Sequence, residues 1–171
     1  ILRLLGTILI AVAFAFVLIM CVGERTKVSG HSMEPHLHDH DQVLLDKLTY
    51  RFRDPKRYEI IVFPYKYEEN TYYIKRIIGL PGETVQVKNG EVYIDGEILG
   101  EDYGAEAMKD AGIASDPIEL GTDEYFVLGD NRNHSSDSRD PSVGVLRRED
   151  LIGRAWIRIY PFDEMGFVVH E

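Results

Sequence analysis

The chain has a single cysteine, Cys21, and a single tryptophan, Trp156. One thiol cannot build a disulfide framework within the chain, and it excludes a zinc site made from several cysteines. Basic side chains are also in deficit: 19 Lys and Arg stand against 29 Asp and Glu, for a net charge of −10. So acidic a chain lacks the cationic footprint of a nucleic-acid binder, and no nucleic acid is expected as a partner. It also gains nothing by charge from anionic lipid. Internal repeats and low-complexity segments are absent. The 171 residues are enough for one domain of ordinary size and one membrane anchor.

The anchor is the first thing the sequence offers. Residues 4–22 run without a charge, with Arg3 before them and Glu24, Arg25 and Lys27 after. At about 1.5 Å per residue, such a helix nearly crosses a hydrocarbon core of about 30 Å. A cleaved signal peptide usually has a shorter apolar region, of about 7–15 residues. A lipoprotein signal ending at Cys21 wants a small residue where Met20 stands. A buried core helix, apolar all round, needs a larger domain to surround it. The expectation is a single N-terminal transmembrane helix, residues 1–23, followed by a domain over 24–171.

From residue 40 onward the pattern is one of strands. The segment 42–45 is a short apolar run, and 58–63 and 71–78 are rich in β-branched and aromatic residues. Two more, 84–88 and 91–94, flank Asn89-Gly90, the strongest short hairpin signal, and Asp95-Gly96 marks a second tight turn. Later strands are expected at 124–128 and 154–160, with a short helical turn at 147–151. Residues 100–121 are acidic and Gly-rich and read as a long loop or small excursion. Short strands with tight turns predict a mainly β domain, antiparallel and barrel-like.

Three stretches carry the chemistry. In Val28-Ser29-Gly30-His31-Ser32-Met33-Glu34-Pro35, Ser32 sits between a glycine and a proline. Such a bend can present a hydroxyl, although taken alone it is an ordinary turn. In Tyr72-Tyr73-Ile74-Lys75-Arg76-Ile77-Ile78-Gly79, alternation puts Lys75 on one face with Tyr73 and Ile77. Arg76 takes the other face with Ile74 and Ile78. Both faces are largely apolar, as in a central strand. Lys75 then either snorkels to an edge or is desolvated until it is neutral enough to accept a proton. The third stretch, residues 129–140, is polar and follows a strand directly, where binding and catalytic groups often sit.

In series, these stretches resemble the bacterial type I signal peptidases, membrane-anchored serine proteases with a Ser–Lys dyad. Ser29-Gly30-His31-Ser32-Met33-Glu34-Pro35 resembles the nucleophile box, and Tyr73-Ile74-Lys75-Arg76-Ile77-Ile78-Gly79-Leu80-Pro81-Gly82 the general-base box. Gly129-Asp130-Asn131-Arg132 with Ser135, Asp137, Ser138 and Arg139 resembles the last box. The single anchor and short chain are similar to the compact Gram-positive form. The resemblance implies Ser32 as nucleophile and Lys75 as its general base, with Ser135 bonding the lysine. It implies an Asp137–Arg139 ion pair, with Met33, Tyr73, Arg76, Asp130 and Arg132 bracing the site. The Ser32 N–H would serve the oxyanion. Gly30 stands where some members carry a second, serine donor, and His36 where the family usually has Thr. The implied substrates are signal peptides of secreted preproteins, cut after small residues in A-x-A patterns. The implied location is the cell membrane, beside lipid and the secretion machinery, with the catalytic domain outside the cytoplasm. No cofactor is expected.

The residues offer rivals. His36, His38 and His40 alternate and in a strand would share a face, as metal ligands can. A triad of Ser32, His134 and Asp137 is an enzymatic alternative. An anchored β-domain could be an adhesion module, but such a module has no use for a lysine on an apolar strand. A Ser–Lys autoprotease of the repressor-cleaving type fits the dyad and not the anchor.

Overall fold

The computed structural model describes residues 3, 5–12, 23–104 and 106–170. The expected membrane span at 4–22 falls largely outside them. Residues 5–12 are helical, and no helix among the described residues is long and apolar enough to cross a membrane.

Among the described residues twelve strands follow: β1 (Gly23–Lys27), β2 (Gln42–Asp46), β3 (Ile60–Pro64), β4 (Tyr72–Gly79), β5 (Thr84–Lys88), β6 (Glu91–Ile94), β7 (Glu97–Ile98), β8 (Ile118–Glu119), β9 (Glu124–Leu128), β10 (Leu146–Arg147), β11 (Gly153–Tyr160) and β12 (Gly166–Phe167). They form two antiparallel sheets. The larger runs β1-β2-β11-β3-β4-β9-β10, with β12 paired to β11; the smaller runs β7-β6-β5-β8. The domain is therefore mainly β and antiparallel, as its sequence predicts. The expected barrel-like closure is not found among the described residues, because β1 and β10 end the larger sheet without pairing to each other. Closure needs a continuous stagger around the ring. Here β10 is two residues long, and register breaks occur in β4 and β11.

The hairpin turns form for local reasons. Asn89 and Gly90 take φ of 54° and 82°, and Asp95 and Gly96 take 52° and 84°. Two successive positive φ values match the right-handed twist of flanking strands, which is why these residue pairs stand there. The expected helical turn appears as a short 3₁₀ segment at Arg148–Asp150. The 100–121 excursion carries another at Gly112–Ser115 and the short β8.

Strand β4 lies at the centre and joins the core clusters. Ile74 packs with Val28, Met33, Leu37 and Val62; Ile77 packs with Phe63, Tyr125 and Val127; Ile78 packs with Val85, Leu120 and Phe126. Apolar side chains cover both faces, so whatever polar group β4 carries is carried into the interior. Gly79, the last residue of β4, has no room for a side chain: a Cβ there would come within 2.5 Å of Val85 and 2.8 Å of Leu120.

Candidate active site

Ser32 lies on a run of turns spanning residues 32–36, which follows an extended stretch leaving β1. Met33 and Leu37 pin that turn to the core, with exposures of 0% and 1%. Burying a side chain of that size stabilises by about 1.5–3 kcal/mol. Gly30 enters the turn with φ of 86°, in the region open to glycine at no steric cost. Its amide donates to Asp39 Oδ1 at 2.9 Å, and so is not free for an oxyanion. Among the described residues nothing accepts the Ser32 N–H.

The turn meets the loop after β9 by backbone bonds. Asn131 N–H donates to the Ser32 carbonyl at 3.0 Å, and Asn131 Nδ2 to the His31 carbonyl at 3.1 Å. Gly129 allows this approach, since a Cβ there would overlap the Ser32 carbonyl and Ser135 Oγ. The sequence stretch contains Asn131, but nothing in its pattern assigns it this bridging role.

Lys75 reaches Ser32 from β4. Its Nζ stands 2.8 Å from Ser32 Oγ and donates to the Ile74 carbonyl at 2.9 Å. The Tyr73 ring lies beside it, its centroid 5.1 Å from Nζ. The side chain is 4% exposed, so it does not snorkel. Burial lowers its pKa from 10.5 to about 8, while the Asp137 and Asp130 carboxylates pull it upward. With that pKa, about a tenth of the molecules carry a free amine at pH 7.

Two sealed ion pairs flank the amine. Arg76, next along β4, makes a two-bond fork with Asp130, Nε to Oδ1 and Nη2 to Oδ2, each 2.8 Å. Its guanidinium also lies 3.9 Å from the centre of the Tyr103 ring and donates to the Tyr58 carbonyl. Burial raises the Asp130 pKa, and the Arg76 and His36 contacts outweigh it, so the carboxyl stays ionised. Asp137 and Arg139 make the second fork, with both bonds 2.9 Å. Asp137 also accepts the Gly129 N–H, and Arg139 donates to the Asp110 and Arg132 carbonyls. Each charge is thus matched by hydrogen bonds, the condition for burying it. Arg132 is buried too, and pairs with Glu101.

Tyr103, Asp110 and Glu101 all come from the 100–121 excursion. Sequence alone assigns them nothing, because their partners lie far along the chain. His36 is another such case: its Nδ1 is 3.0 Å from Asp130 Oδ2. The alternation of His36, His38 and His40 does not become a shared face, since residues 32–37 turn instead of extending. Among the described residues no group of three His, Cys, Asp or Glu side chains could hold a metal. Ser135 Oγ is buried without a hydrogen-bond partner, so the expected bond to Lys75 is not made in this arrangement. His134 is exposed at the edge of the cleft, and the Asp137 carboxylate is committed to Arg139 and Gly129.

The cleft over Ser32 has a volume of about 270 Å³. It is lined by residues 26–32 and 72–75, with Val62, His134 and Ser136. β1 and β4 both reach this cleft, and strand edges of this kind can take up an extended peptide.

A serine hydroxyl in contact with a buried amine is the arrangement of a hydrolase that activates serine without histidine. Comparison with known proteins supplies the family. Residues 1–160 match the family described as signal peptidase, peptidase S26. A probable signal peptidase I-2 of Synechocystis sp. is 39% identical over 171 residues, covering 96% of this chain and 76% of its own. Signal peptidase I of Bacillus amyloliquefaciens is 38% identical over 165 residues, covering 92% of this chain and 87% of its own. The crystal structure of a signal peptidase I from Enterococcus faecalis superposes with a TM-score of 0.50 at 34% identity, covering 60% of this chain and 97% of that one. The chain belongs to the signal peptidase family, peptidase S26, and is a serine endopeptidase.

Proposed function

We propose that this chain is a membrane-bound peptidase that removes N-terminal signal peptides from secreted preproteins, with Ser32 and Lys75 as a catalytic dyad. The observation that carries the reading is the 2.8 Å contact between Lys75 Nζ and Ser32 Oγ, with the amine out of water. The neutral amine takes the Ser32 proton as Oγ attacks the scissile carbonyl carbon. The resulting oxyanion is met by the Ser32 N–H, which is otherwise unengaged. Collapse breaks the C–N bond. The lysine ammonium returns its proton to the leaving amine, which is the new N-terminus of the mature protein. Water, deprotonated by the same amine, then hydrolyses the ester and frees the signal peptide.

The remaining groups support this chemistry. The Arg76–Asp130 fork holds the loop after β9 against β4, the Asp137–Arg139 fork braces that loop from within, and Asn131 ties it to the nucleophile turn. Ser135, with its hydroxyl unpaired, has the capacity to bond the lysine once its side chain turns. The narrow cleft favours small residues at the first and third positions before the cut, as in A-x-A sites. Residues 1–23 serve as the anchor, and 24–171 as the catalytic domain outside the cytoplasm. Leu5, Ile8, Leu9, Ile10 and Val12 on the short helix are all exposed, as an element meant for lipid requires. The partners are then preproteins, membrane lipid and the neighbouring secretion machinery. No cofactor is called for.

The test is incubation of the full chain with a preprotein and mass measurement of both products. A cut after an A-x-A site, lost in Ser32→Ala and Lys75→Ala, supports the reading. Unchanged cleavage by Lys75→Ala beside a dead His134→Ala would replace the dyad with a histidine site. For sidedness, protease added to intact, wall-stripped cells should digest the domain; full protection until lysis would sink the proposed orientation.

A further inference from the structure

The family match ends at residue 160, yet the structure folds the following segment back onto the elements that build the site. Strand β12 pairs with β11, Ile157 opposite Phe167, and Val168 N–H donates to the Trp156 carbonyl at 2.9 Å. The chain then crosses to β3. The ladder between β11 and β3 stops at Arg154 opposite Ile61, so the next amide, that of Ile60, has no strand partner on that side. His170 takes it: Ile60 N–H donates to Nδ1 at 3.2 Å. Ile60 stands opposite Arg76 in the β3–β4 register, and Arg76 Nη1 makes a long contact, 3.5 Å, with the Val169 carbonyl. The terminal segment therefore closes over the guanidinium whose fork with Asp130 flanks Lys75.

We infer that His170 is a positioning residue, which latches residues 166–170 across β3 and thereby holds the Arg76–Asp130 fork in place beside the dyad. The turnover arm of this inference rests on the proposed function; the latch itself does not. To accept the Ile60 N–H, the ring must be neutral with its proton on Nε2. Burial lowers its pKa below 6.5; Arg154 and Arg76 act in the same sense, and Glu59 and the Ala155 carbonyl oppose them. A protonated ring has no lone pair left for Ile60. The latch therefore holds where the ring is neutral and is lost as the pH falls through the ring's lowered pKa, at more acidic pH than for a free imidazole.

The single tryptophan reports on it, because Trp156 bonds the segment and its ring lies 6.2 Å from that of Phe167. The full chain in detergent is compared with His170→Asn, whose Oδ1 stands where Nδ1 does, and with His170→Leu. Wild-type emission should shift as the pH falls through the acidic range below the free-imidazole value, His170→Asn should hold its emission throughout, and His170→Leu should show the low-pH emission at every pH. At pH 8, kcat on a preprotein should fall about two- to tenfold in His170→Leu, the worth of one net hydrogen bond. KM should stay within about twofold, and His170→Asn should keep near-wild-type turnover. An unchanged kcat in His170→Leu overturns the positioning role, whatever the emission does. Equal loss in both variants overturns the hydrogen bond as its cause. A wild-type chain without turnover would be a failure of the proposed function, and the emission titration would still decide the latch.

Discussion

Arg76 and Asp130 meet in a two-bond fork with neither side chain exposed at all, one residue along β4 from Lys75. Lys75 points to the nucleophile, and the arginine beside it ties the strand to the loop after β9. Removing one partner leaves the other charge buried and unmatched. Asp130→Asn should therefore destabilise by about 3–5 kcal/mol, the usual cost of breaking a buried pair. Urea denaturation reads this directly. A midpoint equal to wild type would mean that water reaches Arg76.

Lys75 links pH to both activity and stability. Its pKa is lowered to about 8 by burial, so kcat/KM should fall about tenfold for each pH unit below that value. Lys75→Arg should be inactive, because guanidinium stays charged. The stability sign is the reverse of a salt bridge. Between about 8 and 10.5 the unfolded chain holds a proton that the folded chain has released, so stability from this group rises with pH across that window. Below it, burying the ammonium costs about 3 kcal/mol. Lys75→Met should thus be dead and melt at or above the wild-type temperature at pH 7. A lower melting temperature would show that the charged amine stabilises the fold.

Asp137→Ala tests the second fork. It strips two bonds from the Arg139 guanidinium, one from the Arg139 amide and one from the Gly129 amide. Stability and turnover should fall together, stability by about 3–5 kcal/mol. Wild-type melting and kcat in this variant would contradict a supporting role.

Ser135→Ala separates fold from chemistry. The hydroxyl is buried and unpartnered, so removing it should leave the melting temperature unchanged or slightly raised. Turnover should fall about tenfold or more if the hydroxyl orients the amine during the reaction. Normal kcat with normal melting would show that it does not.

Met33→Ala probes the pin beneath the nucleophile. Full burial predicts a loss of about 2–5 kcal/mol from the cavity left behind. Turnover should fall further than stability alone explains, since the turn carrying Ser32 loses its anchor. Activity that tracks only the folded fraction would argue against that coupling.

Local chemistry was enough, from the sequence alone, to determine the strands β4, β5, β6 and β9, the Asn89-Gly90 and Asp95-Gly96 turns, and the polar loop after β9. Each depends on side-chain period or on a residue's own φ preference, and neither needs a distant partner. The three stretches that mark the family were legible for the same reason: their residues are adjacent in the chain. What only the tertiary structure decided depends on residues brought together from far apart. Strands β8, β10 and β12 have two residues each and exist through their pairing, so no period announces them. Whether the sheet closed into a barrel depended on its edge strands and bulges. The buried, partly neutral state of Lys75 required both faces of β4 to be covered. Asp39 took the Gly30 amide, His36 turned to Asp130, and Glu101 and Tyr103 came in from the excursion to the arginines. Charges and amides of this kind accept whichever partner the fold delivers, and that choice is made by the assembled chain.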